Sequence, residues 1–299
     1  MKKLYVDMSC DKISGQQKMQ GFLLNEVKKR NLFTEKEDAD VLVYAQIPFN
    51  KEIKNEWSSY KNNGKKIVFI HHYCDRRIYQ NNAIFNIDGL LELIDLHIVI
   101  SKDSDLYKEL FLKKFKVIAY EQAGSNYYEI HNKHWVNFKD KDKNSICFVG
   151  RKSKGLNEFI NYTSQEKFKH WKKVILTSKE LDETYNLDNS YDIHIGKTND
   201  ELYNEIKKCQ FLYLDINLIQ PFDHMETIVH EAIPCGTIII HGSNTRKYFK
   251  YSDDITGFIK DIDNIDYTEN QIKQWNFLRK YYNTIDKIVD ANIKVLLNV

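Results

Sequence analysis

The sequence predicts an α/β protein made of two Rossmann-like halves, and three observations carry that expectation. Short apolar runs alternate with longer amphipathic stretches along the whole chain, the rhythm of strands and helices taking turns over parallel sheets. A length of 299 residues suits two domains, each large enough to bury its own core. A polar stretch from His131 to Asn144, containing Lys139-Asp140-Lys141-Asp142-Lys143, separates two sets of strand candidates and places the division at 1–140 and 141–299.

In the first half, Leu4 to Met8 reads as a strand, and Ser14-Gly15-Gln16-Gln17 opens a helix through Phe22, Leu23 and Val27. Val41 to Ala45 and Ile67 to His71 are buried strands, the second entered through the turn Asn62-Asn63-Gly64. Leu90 to Ile94 ends a helix and Leu96 to Ile100 is a further strand. Ser101 or Asp103 caps a helix through Leu106 and Leu110, and Val117 to Tyr120 closes the unit. In the second half, strands are expected at Ser145 to Val149, Lys173 to Thr177, Ile193 to Ile195, Phe211 to Leu214 and Thr237 to His241. Ile272, Trp275, Leu278, Tyr282, Ile285 and Ile288 recur at helical spacing, which predicts terminal helices packing over one or both halves. No internal repeat is visible.

Composition excludes several classes. With 42% hydrophobic and 29% charged residues the chain folds throughout. Lys plus Arg 44 against Asp plus Glu 42 leaves a net charge of +2, so nucleic-acid binding would have to come from a local patch. The five cysteines, Cys10, Cys74, Cys147, Cys209 and Cys235, form no Cys-x-x-Cys pair, and no signal peptide follows Met1-Lys2-Lys3; a reduced, cytosolic protein is expected. No apolar run is long enough to span a membrane. The chain holds 38 Lys but only 6 Arg, so each arginine position is informative.

Three motifs are candidates for chemistry. Gly150-Arg151-Lys152-Ser153-Lys154-Gly155 joins a strand to a helix through Phe159 and Ile160. A glycine at a strand end lets the backbone approach a ligand, and cations at a helix start add to a dipole that already favours an anion, so the segment is either a diphosphate cradle or a solvated basic turn. Neither the dinucleotide fingerprint nor the Walker pattern is present. The second motif is Glu226-Thr-Ile-Val-His-Glu231-Ala-Ile-Pro-Cys-Gly236-Thr237, a short helix ended by Pro and Gly before the apolar Ile238-Ile239-Ile240. Glu231 is expected to face the sheet ends, where a carboxylate can take ribose hydroxyls, with Glu226 one turn earlier; two exposed helix glutamates would give the same pattern.

The third motif, His71-His72-Tyr73-Cys74-Asp75-Arg76-Arg77, leaves an apolar strand and holds two of the six arginines. Adjacent histidines point to opposite sides of a strand and share an ion poorly, so a catalytic carboxylate beside phosphate-binding arginines is the more economical reading, a polar turn the plainer one. Asp223, eight residues before Glu231, is a secondary acid. Asp261-Ile-Asp263 reads as a solvated turn rather than a metal site. The lysine groups Lys61, Lys65, Lys66 and Lys113, Lys114, Lys116 read first as solvated faces.

Together, ICFVGRKSKGLNEFI and ETIVHEAIPCGTIIIHGSN resemble the donor half of GT-B type retaining glycosyltransferases, and within that class the chain is most similar to the T-even phage DNA alpha-glucosyltransferases. The likeness spans roughly residues 12 to 245 and includes SGQQK, IVFIHHYCDRR and the step from Leu93-Ile94-Asp95 to Ser101-Lys102-Asp103-Ser104-Asp105. It implies two Rossmann-like domains facing a cleft with C-terminal helices packing across, 1–140 holding the acceptor and 141–299 the nucleotide-sugar donor. It further implies transfer of a sugar from a UDP-sugar, with retention, to the hydroxymethyl group of a modified cytosine in duplex DNA. Gly15, Gly150, Arg151, Lys154, Glu226, Glu231, Gly236 and Thr237 would serve the donor, His72 and Asp75 the catalysis, Arg76 and Arg77 the DNA. Where the family has His-Asp-His, this chain reads His72-Tyr73-Cys74, with the nearest acid at Asp75. No metal is called for, the target base would be flipped out of the duplex, and the setting would be the host cytoplasm without a membrane partner. The other readings are a GT-B transferase acting on a surface glycan or lipid-linked acceptor, which needs a basic amphipathic face in the first half, and a non-catalytic nucleotide-sugar binding module.

Overall fold

A computed structural model describes residues 2–7, 15–45, 50–71, 88–99, 105–119, 125–150, 155–177, 187, 189–215, 227–242, 257–263 and 265–299, with backbone alone at 15–20, 105, 227 and 285. They form two compact units: Met1–Gly124 with Asn283–Val299, and Ser125–Tyr282. Each unit has one five-stranded parallel sheet, and the ten strands coincide with the ten apolar runs of the sequence to within a few residues.

In the first unit the strands β1 (Leu4–Val6), β2 (Val41–Tyr44), β3 (Lys66–Ile70), β4 (Leu96–Val99) and β5 (Val117–Ala119) lie in chain order. On the outer side of β1, Phe33 makes a parallel bridge to Leu4, with Leu4 N–H donating to Leu32 O and Thr34 N–H to Leu4 O. The chain therefore steps outward from β1 through α1 (Gly15–Lys29), then returns past β1 to β2 and moves the other way. Parallel crossovers are right-handed, so this reversal sends α1 to one face and α2 (Lys51–Asn62) and α3 (Asp105–Leu112) to the other. Packing agrees. Leu23 and Val27 of α1 cover Val41, Val43, Val68, Ile70 and Ile98. Trp57, Leu106 and Leu110 cover Leu42, Tyr44, Ile67 and Phe69.

In the second unit the order is β10 (Ile238–His241), β9 (Cys209–Leu214), β6 (Asp142–Val149), β7 (Lys172–Thr177), β8 (Tyr191–Ile195). Here too direction reverses, between β6 and β9. Accordingly α5 (Leu156–Thr163) covers one face through Leu156 and Phe159. The other face carries α4 (Tyr127–His134), α6 (Asn199–Ile206), α7 (Thr227–Ala232) and α8 (Tyr267–Tyr281).

Two expectations change. The division expected after residue 140 falls inside the second unit. The polar stretch 131–144 holds the end of α4, a 3-10 turn at Phe138–Asp140 and the start of β6, and its Lys141 is buried. Lys141 Nζ donates to Lys207 O (2.8 Å), Cys235 O (3.0 Å) and Thr237 Oγ1 (3.2 Å), so charge here ties elements together instead of solvating a linker. Nor do the terminal helices act as one set. α8 stays with the second unit, burying Phe277 and Leu278 but leaving the periodic Ile272 51% exposed. α9 (Ile285–Leu297) belongs to the first, where Ile288, Val289, Ile293 and Leu296 pack beside α1 and Asp290 pairs with Arg30.

Leu296, fully buried, loses its packing in Leu296→Ala, which is expected to cost about 2–5 kcal/mol in urea unfolding. Burial brings the Lys141 ammonium down to about 8 from its ordinary 10.5. Between those values the unfolded chain binds a proton that the folded chain does not, so this residue's contribution to stability rises with pH across the window. The stability difference between wild type and Lys141→Met, measured by denaturant titration at pH 7.5 and pH 10.5, should shift in favour of wild type by roughly 2–4 kcal/mol.

Candidate functional site

An open α/β sheet binds ligands beyond the carboxyl ends of its strands, at the place where strand order reverses. In the second unit that place is bounded by Val149-Gly150 at the end of β6 and Leu214-Asp215 at the end of β9. Gly150 has φ 154° and Gly155, capping α5, has φ 94°, conformations that side-chain-bearing residues rarely take. A Cβ on Gly155 would overlap the main-chain oxygen of Asp215, and one on Gly242, just past β10, would overlap the Asp215 carboxylate. Asp215 is thus held between two glycines, 3% exposed, with Tyr213 Oη donating to Oδ2 at 3.3 Å. The sequence reading passed over Asp215 and Gly242. Their signal was an acid directly after the apolar run Phe211–Leu214 and a glycine directly after Ile238–His241.

Glu231 is buried on α7, where its Oε1 accepts from Tyr203 Oη at 3.2 Å. Both are the fifth residue of their helix, and the contact ties α6 to α7. Burial, and then the Glu231 charge, push the Tyr203 hydroxyl well above its usual range, so it remains a donor. Gly236 and Thr237 lie elsewhere. They precede β10 and so sit at the amino edge of the sheet. A Cβ on Gly236 would overlap Val136 O, and Gln271 Nε2 donates to Gly236 O at 2.6 Å. The Thr237 hydroxyl lies 2.8 Å from Ile206 O and 3.1 Å from Cys209 O, besides accepting from Lys141. These two expected donor residues hold the fold together, because the ordered strand runs away from them toward the site.

In the first unit the reversal lies between β1 and β2, at Val6-Asp7 and Tyr44-Ala45. Asp7 is buried and accepts from Tyr5 Oη at 3.4 Å. Tyr-x-Asp therefore ends the strand beside the reversal in both units, a correspondence too short to register as a sequence repeat. Gly15 begins α1, on the carboxyl side of β1. His71, at the end of β3, sets Nε2 2.9 Å from Nδ1 of His97 on β4, both rings fully buried. Burial holds His97 down to about 3, so that ring is uncharged near neutrality. Arg151, Lys154, Glu226, Asp223, His72, Asp75, Arg76 and Arg77 lie outside the described residues. Asp261 and Asp263 pair with Lys167 at 2.6 and 3.2 Å. Among the described residues no three His, Cys, Asp or Glu side chains cluster as a metal site would require.

Solved structures share this architecture. An alpha-glucosyltransferase in complex with UDP-glucose and DNA containing an abasic site matches with TM-score 0.64 at 16% identity, over 92% of this chain and 84% of that one. Anabaena Alr3699/HepE, in complex with UDP and glucose, matches with TM-score 0.59 at 10% identity, over 97% and 84%. The DNA-modifying enzyme beta-glucosyltransferase, solved with and without uridine diphosphoglucose, matches with TM-score 0.52 at 13% identity, over 100% and 94%. No protein-family profile and no curated protein matches the chain. At these identities the likeness shows the fold alone, an α/β architecture with two parallel five-stranded sheets shared with these transferases.

Gly155→Ala and Gly242→Ala should each destabilise the protein by about 1–3 kcal/mol or more, because the Asp215 backbone and its short carboxylate have little room to yield. Gly21→Ala, in the middle of α1 with open space around it, should instead stabilise by about 0.5–1 kcal/mol. Thermal melts of the three variants check both signs.

Proposed function

We propose that this protein is a glycosyltransferase that moves a sugar from a UDP-sugar to the hydroxymethyl group of a modified cytosine in DNA, with retention at the anomeric carbon. The observation that carries the proposal is the reversal point of the second unit, where β6 leads into Gly150 without a side chain and Gly155 and Gly242 pack directly on the buried Asp215, with the buried Glu231 on a helix of the same unit. Fold likeness to UDP-glucose-bound transferases, one of them with DNA, supports the donor and acceptor classes.

In this reading the diphosphate lies over Gly150, against the amino end of α5, with Arg151 and Lys154 neutralising the charge that grows as it leaves. Glu231 takes ribose hydroxyls, its orientation fixed by Tyr203, while Glu226 serves the sugar side and Gly15 is a further donor-binding residue. The bond from the anomeric carbon to the diphosphate oxygen breaks as the bond to the hydroxymethyl oxygen forms. That hydroxyl's proton leaves to Asp75, with His72 as the second catalytic residue, and UDP is released. Arg76 and Arg77 hold phosphates of the acceptor strand around a flipped nucleotide. Charge neutralisation by these cations makes a metal dispensable.

The purified protein, incubated with UDP-glucose and duplex DNA with or without hydroxymethylcytosine, should add a hexose only to the hydroxymethylated DNA, read as a mass increase in the digested nucleosides. Arg151→Ala should lower kcat/KM by about a hundredfold or more. UDP-sugar binding without turnover on any acceptor would make the chain a binding module, and no interaction with any UDP-sugar would sink the donor site. A glycan or lipid-linked acceptor is the second reading, favoured by the surface described next.

A further inference from the structure

The sequence offers no conspicuous amphipathic face in the first half, but the fold assembles one. α3 ends in Phe111 and Leu112, 64% and 79% exposed, the two most exposed large apolar side chains among the described residues. Tyr107 stacks flat on Phe111 with ring centroids 6.1 Å apart and an interplanar angle of 9°. The chain then closes the helix in a Schellman turn, with Phe115 N–H donating to Leu110 O and Lys114 N–H to Phe111 O. The left-handed position of that turn, usually glycine, is Lys114 at φ 63°. The turn drives Phe115 back into the core against His97 and leaves Lys113, Lys114 and Lys116 outside, with Lys108 one turn back on α3. Lys113 pairs with Glu109 at 3.2 Å, while Lys108, Lys114 and Lys116 make no ion pair among the described residues.

The other lysine group of this unit is spent on structure. Lys61 and Lys66 both bind Asp95, at 2.6 and 3.1 Å, and Lys65 caps the carbonyls of Lys36, Glu37 and Ala39. At the α3 tip the charge remains available. A bulky exposed apolar pair on the same helix end as exposed lysines suits a surface with an anionic skin and an apolar interior. Phosphate groups of DNA would engage the lysines, but they offer nothing to Leu112 and Phe111.

We infer that the tip of α3, Phe111 and Leu112 with Lys108, Lys113, Lys114 and Lys116, docks this protein peripherally on an anionic phospholipid bilayer. α3 runs antiparallel to the strands, so its last turn lies at the amino edge of the first sheet, opposite the strand ends where Asp7 and His71 sit. Docking therefore leaves the carboxyl edge open, and it stands independently of the acceptor proposed above.

Cosedimentation of the full chain with vesicles tests this. Binding is expected to vesicles one-third phosphatidylglycerol and two-thirds phosphatidylcholine, to be at least tenfold weaker on phosphatidylcholine alone, and to fall as salt rises. The double variant Phe111→Ser with Leu112→Ser should lower partition at least tenfold. Lys114→Gly, which suits the left-handed turn and so keeps the fold, should lower it about fivefold. Absence of wild-type binding, equal binding to both vesicle types, or partition unchanged in both variants would overturn the inference. So would a concentration-dependent dimer that these variants abolish, or loss of duplex-DNA binding in the variants with vesicle binding intact. Titration of the same proteins with UDP-glucose separates the two proposals, since the tip variants should bind it like wild type.

Discussion

The handedness of parallel crossovers organises this protein. Once strands are to lie parallel, each connection must pass right-handed over the sheet, so covering both faces requires the chain to reverse its direction of travel. Each unit reverses once: at β1 and β2 in the first, at β6 and β9 in the second. At the second reversal, diverging connections leave two strand ends side by side with helices departing on opposite faces. Gly155 and Gly242 give Asp215 its place at that edge, clamped between them. Replacing either glycine would drive a methyl group into Asp215.

Polar groups buried at the opposite edge show what the remainder of the fold needs. Lys141, Thr237, Gln271 and Gln274 bind main-chain groups of neighbouring segments, Gln274 Oε1 accepting from Ile239 N–H at 2.9 Å and its amide donating to Gly257 O at 3.1 Å. Such groups cost free energy when unpaired, so each bond specifies which segment lies where. That accounts for Gly236 and Thr237: a segment resembling a donor-binding motif begins, on its amino side, as a structural joint.

Strands were the legible part of the fold, because a strand buried on both faces must be a continuous apolar run, as in Ile67 to Ile70 and Ile238 to Ile240. What composition could not convey was which polar residues are internal. The lysine-aspartate alternation around Lys141 has the composition of a linker, yet Lys141 is buried and bonded to three acceptors. α9 was legible as a helix, but its apolar stripe carries no mark of the sheet it serves, and chain order pointed to the wrong one. In the site, Glu231 was anticipated through its motif, whereas Asp215 followed from topology alone: nothing marks an aspartate as special until β9 is known to lie beside β6. The His71–His97 pair was hidden for the same reason, since strand neighbours 26 residues apart have no sequence signature.

The division of the last two helices between units has a consequence for how the molecule is made. Residues 1 to 124 leave the ribosome well before residues 283–299, yet Leu23 and Val27 then face water on the side that Ile288, Val289, Ile293 and Leu296 later cover. The first half waits, incomplete, while the whole of Ser125–Tyr282 is synthesised and folds. Only when residues 283–299 have left the exit tunnel can the first sheet close its apolar face. The nascent chain is thus open to misassociation in that half throughout the interval, and α9 acts as the latch that ends it.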